Sequence, residues 1–121
     1  FGSWEGLTFR EARERYPDLH NSWVSDTSVS PPDGESFDAV ADRVRAALAA
    51  ITDRYAGRTV LVVSHVTPIK SILRQALAVG PSLLFRLHLD LASLSVADFY
   101  PDGGATVRLV NDTAHLEGLA D

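Results

Sequence analysis

Residues 59–64 read Thr-Val-Leu-Val-Val-Ser, a β-branched, apolar run with no polar alternation. A strand of this kind buries both faces, as strands of a parallel sheet do between layers of helix. Its neighbours in sequence fit that arrangement. On one side, Phe37, Val40, Ala41, Val44, Leu48, Ile51 and Tyr55 recur at three- and four-residue steps. That spacing predicts a helix with one apolar stripe, capped by Ser36 and stopped near Gly57. On the other side, Thr67 and Pro68 suit a first helical turn. Ile69, Ile72, Leu73, Ala76 and Leu77 form the inward face of that second helix, and Gly80-Pro81 ends it.

The remaining signals are local. Thr8 to Glu11 reads as a capping box for a helix running to about Tyr16, with Pro17 as its stop. Leu19–Val24 is a further short helical piece, Thr27–Gly34 a surface loop and Ser82–Leu87 a short helix. Ser93–Phe99 and Ala105–Val110 flank Pro101-Asp102-Gly103-Gly104 and predict a β-hairpin. The order of elements predicts the α/β class, with a partly parallel sheet and an antiparallel hairpin at one side.

Composition narrows the functions available. The 121 residues carry a net charge of −5, with 45% hydrophobic and 22% charged residues. That is one folded domain, and bulk charge argues against nucleic-acid binding. No apolar run approaches the roughly 18 residues of a membrane span. With no cysteine, thiol catalysis, disulfides and thiolate metal sites are excluded. No signal peptide is visible, so the cytoplasm is the expected location. Phe1-Gly2-Ser3-Trp4 opens without Met and places aromatic residues where preceding structure would normally cover them, which reads as a fragment.

Three places offer chemistry. His65 follows the apolar run and precedes a helix start, where α/β sheets hold ligands and where free backbone N–H groups suit an anion such as phosphate. The alternative is a buried histidine satisfied by backbone. Glu35 stands just before the Ser36 cap, with Arg43 two turns on, which also reads as a surface ion pair. Glu5 lies between Trp4 and Gly6, either as an acid or within a tight turn over a buried Trp. His20, His88 and His115 share no metal-ligand spacing, so no metal is expected.

Together these places resemble one family. Phe-Gly-Ser-Trp-Glu-Gly-Leu-Thr, then Pro-Pro-Asp-Gly-Glu-Ser followed by Arg43, then Val-Leu-Val-Val-Ser-His stand in the order seen in the histidine phosphatase (phosphoglycerate-mutase-like) superfamily. The first motif and Asn111-Asp112-Thr113-Ala114-His115-Leu116 are similar to its α-ribazole phosphatase branch. The wording looks most like the C-terminal phosphatase part of actinobacterial proteins that fuse ribonuclease H to an acid phosphatase. The resemblance implies a three-layer fold, a mixed sheet with helices on both faces, and phosphoryl transfer through a phosphohistidine without metal or cofactor.

It also implies roles. His65 matches the second family histidine, which holds the phosphoryl group, with the Val66 N–H beside it. Glu35, Arg43 and Glu5 carry over only as supporting residues. The nucleophilic His and one Arg belong to an Arg-His-Gly motif that this sequence lacks. A second Arg and the acidic Glu would precede Phe1. Val66 replaces a common Gly and makes that wall bulkier. Residues 1–121 are thus expected to be the C-terminal portion of a single histidine-phosphatase domain, inactive alone. The intact protein would be a phosphomonoester hydrolase of acid-phosphatase type. The alternatives are an α-ribazole-phosphate phosphatase or a non-catalytic phosphate-binding module. The expected partner is a small phosphorylated metabolite, or a second copy in a homo-oligomer, with no membrane. Nucleic acid would enter only through a fused ribonuclease H domain.

Overall fold

Helix starts follow the capping chemistry of the sequence. In a computed structural model, which describes residues 1–119, Thr8 Oγ1 accepts from the Glu11 N–H at 3.1 Å. Glu11 Oε2 accepts from the Thr8 N–H at 2.7 Å. This reciprocal pair satisfies two donors that an open helix end would leave free. It starts α1 (Phe9–Arg15) and holds the Glu11 carboxyl below its usual pKa, through the Thr8 N–H first. Pro17 does stop α1, and it also opens α2 (Pro17–Trp23) from the first helical position, where its missing N–H costs nothing. Ser36 Oγ accepts from the Ala39 N–H at 3.0 Å and starts α3 (Phe37–Arg54).

Helix α4 spans Val66–Leu77. It packs on α3, with Val40, Ala41 and Val44 buried on one helix and Ser71 and Leu73 on the other. The small Ser71 is wholly buried, its hydroxyl donating to the Thr67 carbonyl at 2.9 Å. Leu77, expected on the inward face, is 47% exposed. It lies where the helix breaks into a left-handed turn at Ala78. The piece at Ser82–Leu87 is a 3-10 turn over Pro81–Phe85.

Strands β1 (Leu94–Phe99) and β2 (Ala105–Asp112) form the hairpin, antiparallel, with Ala97 opposite Val107 and Phe99 opposite Ala105. The register shifts twice, between Leu94 and Val96 and between Val96 and Ala97, and at each shift β2 carries one extra residue, the first at Val110–Asn111. Asn111 has φ +55°, a conformation its short polar side chain tolerates.

The expected strand at Thr59–Ser64 takes a different form. The segment lacks a backbone partner among the described residues, so it belongs to no sheet. The sheet formed by the described residues is therefore antiparallel, β1 with β2 alone. Side-chain exposure still alternates along the run: Leu61 and Val63 are 80% and 87% exposed, Val60 and Val62 41% and 44%. A strand exists only through pairing, and apolar periodicity cannot supply the second chain segment.

An aromatic cluster anchors the first forty residues. Trp4 and Trp23 are buried and meet edge to face with centroids 5.4 Å apart. Trp23 contacts Phe37 at 5.1 Å, and Phe37 contacts Phe85 at 5.7 Å. Each such pair contributes about 1 kcal/mol beyond its burial. The N-terminal turn docks through backbone. The Ser3 N–H donates to the Pro32 carbonyl at 2.8 Å, and Ser3 Oγ donates to Asp33 Oδ2 at 3.1 Å. Gly2 has φ +55°, and a Cβ there would penetrate the Pro32 carbonyl oxygen.

Gly2→Ala should therefore destabilise the chain by ~3 kcal/mol or more, combining backbone strain with overlap. Gly6→Ala, at φ +79° with open space around the added methyl, should cost only about 1 kcal/mol. Urea unfolding of both variants tests this; equal midpoints would mean the Gly2 contact carries no weight.

Candidate functional site

His65 is the N-cap of α4, with extended backbone at φ −118° and ψ 171°. Its imidazole makes no capping bond and is exposed, so the reading of a buried, backbone-satisfied histidine does not hold. The N–H groups of Val66 and Thr67 have no partner among the described residues. Pro68 has no N–H to offer, and the first turn carries no acidic residue. A helix start of this kind presents two donors and a partial positive charge beside a free imidazole, a combination that attracts an anion.

The other two motifs are brought together by the contact of Gly2 with Pro32. Trp4 is buried in a tight 3-10 turn, and Glu5 beside it stays exposed. Glu35 and Arg43 form a two-pronged ion pair, Nε to Oε2 at 3.1 Å and Nη2 to Oε1 at 3.0 Å. The pairing raises the Arg43 pKa, by the hydrogen bond first and by charge second. Glu5, Glu35, Arg43, His65 and Val66 all line one groove of about 1600 Å³, together with Thr59–Ser64 and β1. All five are among the many residues, from Phe1 to Tyr100, that line this broad opening.

Two features of this groove were not apparent from the sequence. Lys70, the single lysine of the chain, lines it too. Its Nζ donates to the Leu84 carbonyl at 3.1 Å, and partial burial lowers its pKa. Its signal was its place one turn into α4, masked by the apolar residues around it. The second feature is a clamp on the loop before β1. The Asp90 N–H donates to Asn111 Oδ1 at 2.7 Å, and Asn111 Nδ2 donates back to Asp90 Oδ2 at 3.1 Å. His115 Nε2 lies 2.8 Å from the Ala92 carbonyl, and His88 Nε2 lies 2.8 Å from Asp90 Oδ1. These partners are up to 23 residues apart, beyond the reach of any local pattern.

The sequence profile of the histidine phosphatase superfamily (branch 1) matches residues 1–113. The bifunctional protein Rv2228c of Mycobacterium tuberculosis is 63% identical over 116 residues, covering 96% of this chain and 32% of that protein. Phosphoserine phosphatase 1 of Hydrogenobacter thermophilus is 33% identical over 116 residues, covering 95% of this chain and 54% of that protein. Among solved structures, Bacillus stearothermophilus YhfR superposes with a TM-score of 0.83 at 27% identity, covering 97% of this chain and 58% of that one. The chain therefore spans about a third of the mycobacterial protein and about half of the others. The α/β class and the phosphoglycerate-mutase-like arrangement follow from this match.

Two measurements check the site's electrostatics. Both members of the Glu35–Arg43 pair are about half exposed, so a double-mutant cycle should give less than ~1 kcal/mol of coupling, shrinking with salt. The Asp90 carboxyl is held below 3.8 by its hydrogen bond with His88 first and with Asn111 second. A depressed carboxylate stabilises the fold above its unfolded value and stops doing so as pH falls through the lower folded value. An NMR titration of Asp90 should therefore find its midpoint below 3.8; one at or above that value would remove the clamp.

Proposed function

The chain belongs to the histidine phosphatase superfamily, and from that premise we propose that it carries the phosphate-holding half of a phosphomonoester hydrolase. The observation that carries this reading is the start of α4. There the free imidazole of His65 stands beside the unpaired N–H groups of Val66 and Thr67, facing a groove also lined by Arg43. A dianionic phosphoryl group fits that set of donors.

In the intact enzyme the reaction is a double displacement without metal. A histidine outside residues 1–121 attacks phosphorus, and a P–N bond forms as the P–O bond to the leaving group breaks. A carboxylic acid, also outside the chain, gives its proton to the leaving oxygen. Water then attacks phosphorus and gives a proton to that carboxylate, the P–N bond breaks to restore the histidine, and inorganic phosphate leaves. His65 and the N–H of Val66 act on the non-bridging oxygens throughout, where charge must be held while the bonds exchange. Arg43 acts through Glu35 as a supporting residue, and Glu5 lies at the rim.

On this reading residues 1–121 are the C-terminal portion of one domain. The substrate is a small phosphate monoester, handled as by an acid phosphatase. The phosphoserine phosphatase relative supports a small, polar leaving group, and the closing Asn111–Leu116 motif supports an α-ribazole-phosphate phosphatase as the alternative. The second reading for the chain by itself is a phosphate-binding module without turnover, which the unfilled N–H groups at the start of α4 would equally serve.

His65→Ala in the full-length protein should lower kcat/KM for p-nitrophenyl phosphate by on the order of 10²-fold or more. The 121-residue chain alone should show no turnover. A variant with unaltered rates would remove His65 from the mechanism. Protection of the full-length protein by phosphate against heating, without turnover of any monoester, would favour the binding module.

A further inference from the structure

Lys70, in the second turn of α4, is partly buried by the chain's own residues. An ammonium has three donors. One of them goes to the Leu84 carbonyl at 3.1 Å, a neutral acceptor that holds the group in place and leaves its charge intact. Lys70 forms no ion pair among the described residues. The helix does not offset this, since a helix favours cations at its C-terminal end. Burial then works against the charged form and lowers the Lys70 pKa.

The surroundings set this charge apart. Helix α4 packs against α3, β1, β2 and the Pro81–Phe85 turn. That turn carries no charged residue. Asp98 of β1 is taken by Arg108 of β2, and on α3 Arg43 is taken by Glu35 and Arg45 by Asp42. Among the side chains of α4, Lys70 is the one whose hydrogen bond reaches another element of the described residues. That element is firmly seated, because Phe85, next to Leu84, packs edge to face on Phe37. In a helix, residues three and four apart share a face, and long side chains lean back toward the N-terminus. Lys70 lies four residues from Val66 and three from Thr67, whose N–H groups are unpaired among the described residues. One turn of about 5.4 Å separates Lys70 from Val66 along the axis, so an anion on those groups lies on the order of 10 Å from the ammonium, out of contact and within its field.

We propose that Lys70 is a positioning residue of the phosphate site: tethered by the Leu84 carbonyl behind the first turn of α4, its ammonium draws a dianion to the Val66 and Thr67 N–H groups without touching it. The role rests on the phosphate-holding reading of α4 and adds a fixed charge behind the donors. The N–H groups alone serve any acceptor; with a cation behind them they favour the doubly charged form of a phosphate. At this separation the charge raises dianion affinity about tenfold at low salt. By reciprocity, a bound dianion favours the ammonium over the free amine by the same factor.

The test uses the full-length protein, with calorimetric titration of inorganic phosphate at low ionic strength and acetylation of Lys70 by acetic anhydride followed by mass spectrometry. Saturating phosphate should slow Lys70 acetylation about tenfold, because only the free amine reacts. Lys70→Met should weaken phosphate binding about tenfold, a loss that shrinks as salt rises, and Lys70→Arg should restore binding to within about twofold. A lysine that only tied Leu84 would also lose stability as Lys70→Met, but its acetylation would not respond to phosphate. The proposal is overturned if the wild-type protein binds phosphate while Lys70 acetylation stays unchanged, or if Lys70→Met binds phosphate as tightly as the wild type. A Lys70 that is unreactive with and without phosphate, as a carboxylate from the rest of the protein would make it, overturns it too. The acetylation measurement needs no variant and decides the question even where Lys70→Met fails to fold. Wild-type protein that binds no phosphate at all removes the phosphate-holding reading itself, and the role of Lys70 with it.

Discussion

Gly2 lies against the Pro32 carbonyl with no room for a methyl group, and much of the groove's architecture depends on that contact. It fixes the N-terminal turn against the loop before α3. The turn carries Trp4 into the aromatic cluster with Trp23, and the cluster reaches α3 through Phe37. Phe37 is also the first residue after the Ser36 cap, so the packing that buries Trp23 sets the start of α3. Glu35 precedes that start and Arg43 lies two turns along it. Their forked bond is thus a consequence of backbone docking as much as of charge, since an exposed pair of this kind contributes little by itself.

The electrostatics of the groove divide in an informative way. The chain has a net charge of −5, and Glu5, Glu35, Asp90 and Asp98 all line the groove. The Arg43 fork is already filled by Glu35. The Lys70 ammonium is turned to the Leu84 carbonyl, and its burial disfavours the charged form. The start of α4, where the Val66 and Thr67 N–H groups stand beside His65 with no carboxylate in the first turn, is one place where donors remain unfilled; the Arg58 guanidinium and the backbone of Thr59–Ser64 are others among the described residues.

Local chemistry was legible in the sequence, and pairing across the chain was not. The Thr8 and Ser36 caps, the α3 stripe and the hairpin are written within a few residues and appear as expected. Glu35 with Arg43 follows from helical spacing. By contrast, the apolar run at Thr59–Ser64 announces an extended, sheet-seeking backbone, while membership of a sheet depends on another segment. Ser71 was hidden because a small hydroxyl that bonds its own helix is invisible to a hydrophobic pattern. The Asp90–Asn111 clamp depends on the extra residue in β2 and a left-handed backbone at Asn111, neither of which periodicity reports. His65 was found because its place is local, the junction of an apolar run and a helix start.

That junction is held from one side among the described residues. His65 is held on its C-terminal side by α4, where the Ile69 N–H donates to its carbonyl at 3.1 Å. On the other side the backbone through Ser64 has no bonds among the described residues. An imidazole anchored from one side samples more orientations than one anchored from both, and holding charge on a transferring phosphoryl group demands placement within a fraction of an ångström. For the proposed phosphate-holding role, the placement of His65 therefore rests on α4 among the described residues.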